Sequence, residues 1–399
     1  MSEDSFTEVT TKSWSSRIKD ALTGIVIGLI MIIVAFPVLF KNEGRSVYRY
    51  KSLKEGGGIV VSIPSDNVDQ SNEGKLVHLT GLADTGEILR DPIFGVSANA
   101  LKIKREVEMF QWAESSSSKT EKKLGGGTET TTTYTYSKRW SSTPISSSSF
   151  RKPEGHQNPG YFPYEAAELA AENVTLGDFD LSPSLAKKIN NYVLLPIDNE
   201  TPIPEEIRAT AKVQPSGIYI GTSPSSPEIG DTKIRFMITK PTTVSVIAKQ
   251  TGNTFAPYST KAKGKLEILQ KGSHSSEEMI EKAQAANKMM TWLLRAVGFA
   301  LMFIGFNMVF KPLSVLADVL PILGTIVGAG TGLIAFLLAG ILSLITIAIG
   351  WIFYRPLLGI ILLAAAIGLA VVIIKKLKAA KKPAEQTQEM SESLEPAGE

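Results

Sequence analysis

Residues 21–40 carry no charged side chain, lie between Asp20 and Lys41, and include thirteen Leu, Ile, Val or Phe residues. At about −0.3 to −0.6 kcal/mol each on the insertion scale, these side chains contribute roughly −4 to −8 kcal/mol, well beyond the cost of Pro37 near the far end. Such a run predicts a spanning helix. It ends Ala35-Phe36-Pro37-Val38-Leu39-Phe40, without the small-x-small site at which a secretory leader is cut, and so is expected to stay as an anchor.

Further apolar runs follow near the other end. The segment 289–311 ends on Lys311 and is interrupted before it only by Arg295, one turn after Trp292. An arginine so close to a helix end is expected to snorkel to the head groups. Residues 319–354 form a charge-free run of 36 residues. As one helix it would reach about 54 Å, too long for one crossing of a core about 30 Å thick. Pro321, Gly324, Gly328, Gly330 and Gly332 make its first part a poor helix, so 312–332 is expected to be interfacial or re-entrant and 333–354 to span. Arg355 and Pro356 close that span, and 356–374 reads as a fourth. Four spans put both termini on one side, and Lys375, Lys376, Lys378, Lys381 and Lys382 mark that side as cytoplasmic. Segments 1–20 and 375–399 are therefore expected in the cytoplasm. Lys41, Arg45, Arg49, Lys51 and Lys54 oppose this orientation, but a long translocated segment is little governed by flanking charge.

Between the first two spans lies a domain of ordinary soluble composition, residues 41–288, with a mainly β pattern. Short strands are predicted at 58–63 and 75–82. Leu101, Ile103, Val107 and Met109 recur with period two, Arg105 filling the gap, against Lys102, Lys104, Glu106 and Glu108. This run and the Thr- and Tyr-rich residues 130–140 predict a long hairpin with a mobile Ser- and Gly-rich tip at 115–128. Further strands are predicted at 217–221, 232–239, 243–249 and 265–270, and a short helix at 182–190. Ser275 and Glu278 form a capping box for a helix that should run unbroken from the domain into the second span. The resulting fold class is an α+β integral membrane protein: four transmembrane helices plus a large mainly-β extramembrane domain inserted between the first and second.

Composition excludes several chemistries. There is no cysteine, hence no disulfide, thiolate nucleophile or Cys-ligated metal, and a net charge of +3 from 42 basic and 39 acidic residues gives no global field for nucleic acid. No Gly-x-Ser-x-Gly, His-Glu-x-x-His or phosphate-loop pattern occurs. His78, His156 and His274 are not spaced for a metal and are expected to be structural or solvent-facing. Gly56–Gly58 and Gly125–Gly127 are expected to be turns. Catalytic, cofactor-binding and metal residues are thus all assigned as none, and no cofactor is expected. Within the spans only Asn307 is strongly polar, which disfavours transport. Gly24-x-x-x-Gly28 and Gly328-x-x-x-Gly332 offer small faces, read first as packing within one subunit. Asn173-Val-Thr175 and Asn199-Glu-Thr201 fit the glycosylation acceptor pattern and serve as a topology test.

The order of these segments resembles the transmembrane protein 43 family, also called LUMA. The resemblance rests on Asn42-Glu43-Gly44-Arg45, Asn72-Glu73-Gly74-Lys75-Leu76-Val77-His78 with Gly81, Asp91-Pro92 with Phe94-Gly95-Val96, and Arg105-x-Val107-Glu108-Met109-Phe110-Gln111-Trp112 followed by Glu114. Gly155-His156-x-Asn158-Pro159, Glu228-Ile229-Gly230-Asp231 and Gly350-Trp351-Ile352-Phe353-Tyr354-Arg355-Pro356 complete it. It implies a four-span protein with a lumenal or periplasmic domain, and in animals a resident of the endoplasmic reticulum and inner nuclear membrane that self-associates and organises complexes with emerin and lamins. It supplies no catalytic residues. The Ser-rich hairpin tip, short polar tails and missing cysteine look more bacterial than animal; in a bacterium the protein would sit in the cytoplasmic membrane, and only the scaffold role would transfer. The expected partners are membrane lipid, further copies of the chain and other membrane proteins, with no nucleic acid. The expected function is a self-associating membrane scaffold. The alternatives are a subunit of an oligomeric channel or transporter, and an enzyme acting through Glu106, Glu108 or His156.

Overall fold

The computed structural model describes residues 4–357 and 361. Over these residues the chain is α+β, with three helices long and apolar enough to cross a membrane and a large β domain. It divides into two compact units. The expected fourth span, 356–374, falls almost entirely outside the described residues, and the tail 375–399 entirely so.

The helical unit holds Ala21–Val47, Lys288–Leu313 and the described chain from Gly328 onward. These segments belong to three long helices, Trp14–Ile59, Ser276–Ala317 and Pro321–Tyr354. The first opens on Ser13, whose hydroxyl accepts from the Ser16 N–H, and runs through Pro37 without a break. The second opens on the expected Ser275 cap, with the Glu278 N–H donating to the Ser275 hydroxyl, and has no interruption near residues 284–288. Ala35, Leu39, Met302 and Ala339 form the packed centre of the unit. Val26, Ile30, Ile33, Leu293, Ile304, Leu333, Ile341 and Leu344 face outward, as side chains do when the solvent is lipid. Small residues set the helix spacing: a Cβ on Gly28 would stand 2.6 Å from the Gly305 carbonyl oxygen.

The third helix corrects one expectation. Residues 321–332 are helical and continuous with 333–354, and the preceding helix passes over Pro312 to Ala317. Each glycine costs about 1 kcal/mol in a helix, but backbone N–H and C=O groups in an apolar surrounding have no partner other than the helix itself. Pro321 sits at the first helical position, where its missing N–H is harmless. Residues 312–332 are thus helical on either side of a short break at residues 318–320 and not an irregular stretch.

The β unit contains the N-terminal residues to Asp20, Tyr48–Asn287 and Ser314–Val327. Its larger sheet has eight strands and is built on the long strand Lys102–Lys122. Thr128–Ser141 pairs with one edge of that strand and Thr232–Thr239 with the other, followed by Gly217–Ile220 and Ala211–Gln214. The period-two pattern is observed: Ile103, Val107 and Met109 are buried, and Ile103 and Val107 pack with Phe94, Ile218, Ile234 and Phe236. A second sheet of seven strands centres on Leu76–Asp84 and Thr242–Thr251, with Val77, Leu79, Val244, Val246, Phe179 and Phe255 beneath it. Predicted strand 58–63 survives only as Val61–Ser62, because the first helix continues to Ile59.

Two further corrections concern the hairpin and the N-terminus. The Ser- and Gly-rich stretch is strand as far as Lys122, leaving a turn of residues 123–127. What orders it is a third strand: Asp4–Lys12 pairs antiparallel with Thr128–Tyr136 along its whole length. Residues 4–20 of the expected cytoplasmic segment are thus part of the β unit and not a separate tail. The middle strand of this ribbon, Thr128–Tyr136, has a neighbour on both sides, so its N–H and C=O groups are paired although its side chains are polar.

Arg105, which breaks the apolar period, is buried because it is paired. One terminal nitrogen donates to both carboxylate oxygens of Asp91 at 2.7 and 2.6 Å, and Nε donates to the Glu165 carbonyl. Asp91 also accepts from the N–H groups of Ile93 and Phe94, turning the chain there. Replacing Asp91 by Ala leaves the guanidinium buried without a counter-charge. We expect Asp91→Ala to cost about 3–5 kcal/mol, read as a fall in the midpoint of thermal unfolding of the detergent-solubilised protein.

Candidate functional site

The densest polar cluster of the helical unit joins all three long helices. Glu43 comes from the first, Arg295 from the second and Trp351 from the third. Nε and one terminal nitrogen of Arg295 donate to the two Glu43 oxygens at 2.7 and 2.9 Å, and the Trp351 indole N–H donates at 2.8 Å. The guanidinium lies 4.8 Å from the Trp292 ring centroid and 5.7 Å from that of Trp351. The Glu43 side chain is only 3% exposed and that of Arg295 14%. Arg295, expected as an exposed interfacial arginine, is one half of a buried bidentate ion pair. Gly44 and Gly350 make the approach possible, since a Cβ on Gly44 would strike the Tyr354 ring and one on Gly350 would sit 3.1 Å from the Glu43 side chain. One turn away, the Asn42 amide donates to the Thr291 carbonyl and Arg45 to the Thr291 hydroxyl.

The β unit has a second cluster at the end of the run Arg105–Trp112. Asn158 pairs with the Trp112 backbone as a neighbouring strand would, accepting from its N–H at 2.7 Å and donating to its carbonyl at 2.9 Å. Gln111 treats the Thr143–Ile145 backbone likewise. The Phe110 N–H and C=O bond to Asp231 and Gly230, and Asp231 accepts from the Tyr219 hydroxyl. Burial, then the Asp231 carboxylate, push the Tyr219 phenol well above its ordinary value, so it remains a donor.

His156 is buried within this cluster. Its Nδ1 faces the Lys152 carbonyl at 2.9 Å and its Nε2 the Asp4 carboxylate at 2.7 Å, while its ring stacks on Tyr136 at 4.0 Å. These two contacts tie the N-terminal strand to the sheet. His78 bonds through its ring to the Ser62 hydroxyl and the His274 carbonyl, and His274 to Glu278 and the Lys271 carbonyl. Glu106 takes Lys104 two residues back on the same strand at 2.9 Å, and Glu108 takes Arg235 from the neighbouring strand at 3.1 Å. They lie four or more residues along the strand from Trp112, roughly 13 Å from the His156 cluster, and no hydrogen bond joins the two sets. No group of three His, Cys, Asp or Glu residues suited to a metal occurs among the described residues. Asn307 bonds back to the Phe303 carbonyl, and its amide oxygen lies 3.7 Å from the Cβ position of Gly332. It faces the third helix.

A further convergence lies wholly in the β unit. The hairpin turn meets the start of the first helix and the break at Asp318: Arg17 bonds to Asp318 and to the Gly126 carbonyl, Lys122 donates to Asp318 at 2.6 Å, and the Trp14 indole donates to the Val315 carbonyl at 2.8 Å. Gly324 leaves the space that Asp318 fills.

The blocks brought together here, Asn42–Arg45 with Gly350–Tyr354 and Arg105–Trp112 with Asp91, Asn158 and Asp231, are those that carry the family resemblance. A family model described as Transmembrane protein 43 matches residues 109–356. The mouse Transmembrane protein 43 is 36% identical over 353 residues, covering 86% of this chain and 87% of the relative. The human protein is 35% identical over 381 residues, covering 92% and 93%. The chain belongs to the transmembrane protein 43 family. A fruit-fly homolog is 31% identical over 350 residues, covering 85% of this chain and 90% of its own length. These relatives are animal proteins and lend nothing to a bacterial assignment. No solved structure matches. Family membership and the three apolar helices make this an integral membrane protein.

The Glu43 cluster can be tested by separating charge from shape. Glu43→Ala, which leaves Arg295 buried and unpaired, should cost about 3–5 kcal/mol, whereas Glu43→Leu with Arg295→Met should recover most of that loss. Thermal unfolding midpoints of the single and double variants in one detergent give the coupling.

Proposed function

We infer that this protein is a multi-pass membrane scaffold that self-associates and organises membrane protein complexes through its β domain. One observation carries the reading: the family's polar blocks serve internal fastening. Glu43, Asp91, Arg105, Gln111, Asn158, His156 and Asp231 each hold backbone or a partner side chain of their own unit. Side chains committed in this way build a rigid surface and leave no nucleophile beside a base. In this reading the protein is not an enzyme and takes no cofactor, and its ligands are further copies, neighbouring membrane proteins and lipid. Four spans, with the domain inserted after the first and lying outside the cytoplasm, accompany it. The compartment is then the endoplasmic reticulum and inner nuclear membrane if the source is eukaryotic, and the cytoplasmic membrane if it is bacterial.

A specific observation favours the runner-up, a subunit of an oligomeric channel or transporter. The three-stranded ribbon of Asp4–Lys12, the outer half of Lys102–Lys122 and Thr128–Tyr136 carries Ser, Thr, Lys and Glu side chains along its length, and Arg17, Lys122 and Asp318 meet at its turn, a polar surface suited to lining a water-filled path.

Mass measurement in mild detergent separates the two readings when combined with reconstitution. The scaffold is expected to run as an oligomer or with bound protein and to give no solute flux in vesicles. Monomer alone would sink it, and flux abolished by Lys122→Ala or Asp318→Ala would establish the channel. For topology, expression in microsomes should add glycan at Asn173 or Asn199, detected as a glycosidase-sensitive mass increase lost in Asn173→Gln with Asn199→Gln. An unmodified chain would place the domain on the cytoplasmic side.

A further inference from the structure

Asp4–Lys12 is the outermost strand of the eight-stranded sheet, and no strand among the described residues pairs with its far edge. The other ends of the two large sheets are short: Ala211–Gln214, Ile268–Lys271 and Val61–Ser62. Shortness blunts a sheet edge, as do proline and bulges. The N-terminal strand has none of these protections. It runs for nine residues without proline, keeps an unbroken register with Thr128–Tyr136, and is exposed at every position but Glu8.

The ladder shows which of its groups are open. The Lys123 N–H donates to the Gly127 carbonyl, and hydrogen-bonded pairs alternate with non-bonded pairs along an antiparallel ladder. Odd-numbered residues of Thr128–Ser141 therefore bond toward Lys102–Lys122, and even-numbered ones toward Asp4–Lys12. By the same register the even-numbered residues of Asp4–Lys12 bond inward. The N–H and C=O groups of Ser5, Thr7, Val9 and Thr11 point away from the sheet, with the exposed side chains of Phe6 and Val9 along the same edge.

Charge selects the occupant. The strand reads Asp-Ser-Phe-Thr-Glu-Val-Thr-Thr-Lys, with an acid at one end, a base at the other and mostly β-branched or aromatic residues between. Set antiparallel against itself about Glu8, it overlaps along its whole length, with Ser5 opposite Thr11, Thr7 opposite Val9, and Asp4 opposite Lys12 at both ends. That register sets open residue against open residue and adds about eight backbone hydrogen bonds. A parallel pairing would instead set acid beside acid and base beside base. Both ends are able to change partner, since His156 takes only the Oδ2 oxygen of Asp4, and the Lys12–Asp20 ion pair is exposed on both sides. At the centre the two Glu8 carboxylates meet, each already held by Arg151 of its own chain. We propose that this edge is a twofold interface at which a second copy of the chain adds its own Asp4–Lys12 strand, joining two eight-stranded sheets into one. This interface supplies the self-association of the scaffold reading and rests on that reading.

The absence of cysteine from the chain makes the pairing directly testable. In the full-length protein in mild detergent, Glu8→Cys sets two thiols opposite each other at the roughly 4.5 Å Cα spacing of a non-bonded pair, within disulfide reach. Oxidation with copper phenanthroline is expected to give a disulfide dimer on a denaturing gel. Thr10→Cys, about 13 Å from its mate in this register, should stay monomeric on that gel, whereas Phe6→Cys with Thr10→Cys in one chain should bridge again. The double variant keeps the Glu8–Arg151 pair, so it reads the interface even if Glu8→Cys fails to fold. Val9→Pro removes an outward N–H and leaves the bonds to Thr128–Tyr136 in place; it should weaken self-association, followed by mass against concentration, at least about tenfold. Equal bridging at positions 8 and 10, no bridging in either Glu8→Cys or the double variant, or unchanged association of Val9→Pro overturns the interface, and an oligomeric parent then keeps self-association through another surface. A parent that is monomeric at every concentration overturns both.

Discussion

A charge taken out of water has to meet its counter-charge where it sits, and that requirement organises both units of this protein. Desolvation of an ion costs several kcal/mol, and only close, multiply bonded geometry offsets it. In the helical unit the result is Glu43 held by two guanidinium nitrogens and an indole, one group from each long helix. Apolar helices in lipid gain little from apolar contact with one another, because lipid tails serve equally well. Their arrangement therefore depends on points of this kind and on close approach at small residues such as Gly28 and Gly305.

The β unit solves the same problem on a sheet. Arg105 occupies a core position of the long strand only because Asp91, itself locked by the Phe94 N–H, stands beside it. Further along that strand, Gln111 and Asn158 use side-chain amides in place of missing strand neighbours. Edge groups that would otherwise be unsatisfied are thereby closed without another strand. Lys102 follows a milder form of the rule: burial lowers its ammonium from the ordinary value, Glu168 opposing, and the Lys187 carbonyl and Asn190 amide take its protons at 3.0 Å.

Periodicity made much of this legible in the sequence. The two-residue alternation of Ile103, Val107 and Met109, the cap at Ser275 and the apolar run at 21–40 all reflect local physics, in which a residue's neighbours in the chain are its neighbours in space. Arg295 and the Ser-rich stretch at 115–122 were misleading because their partners are remote: Glu43 lies 252 positions from Arg295. Strand Asp4–Lys12, which orders the hairpin, lies beyond the first apolar run. The glycines at 324–332 misled for another reason, since helix propensities measured in water lose their force where backbone groups have no water to turn to.

The amino-acid sequence by itself determined that the chain enters a membrane, that its extramembrane part is mainly β, and that it lacks cysteine chemistry. These follow from composition and spacing alone. Its ordered blocks also determined the family, although not what those blocks are for. Only the tertiary structure decided that they are fastenings, because an ion pair and a side chain standing in for a strand are each made by residues far apart in the chain. Such distances carry no periodicity, so nothing local records them.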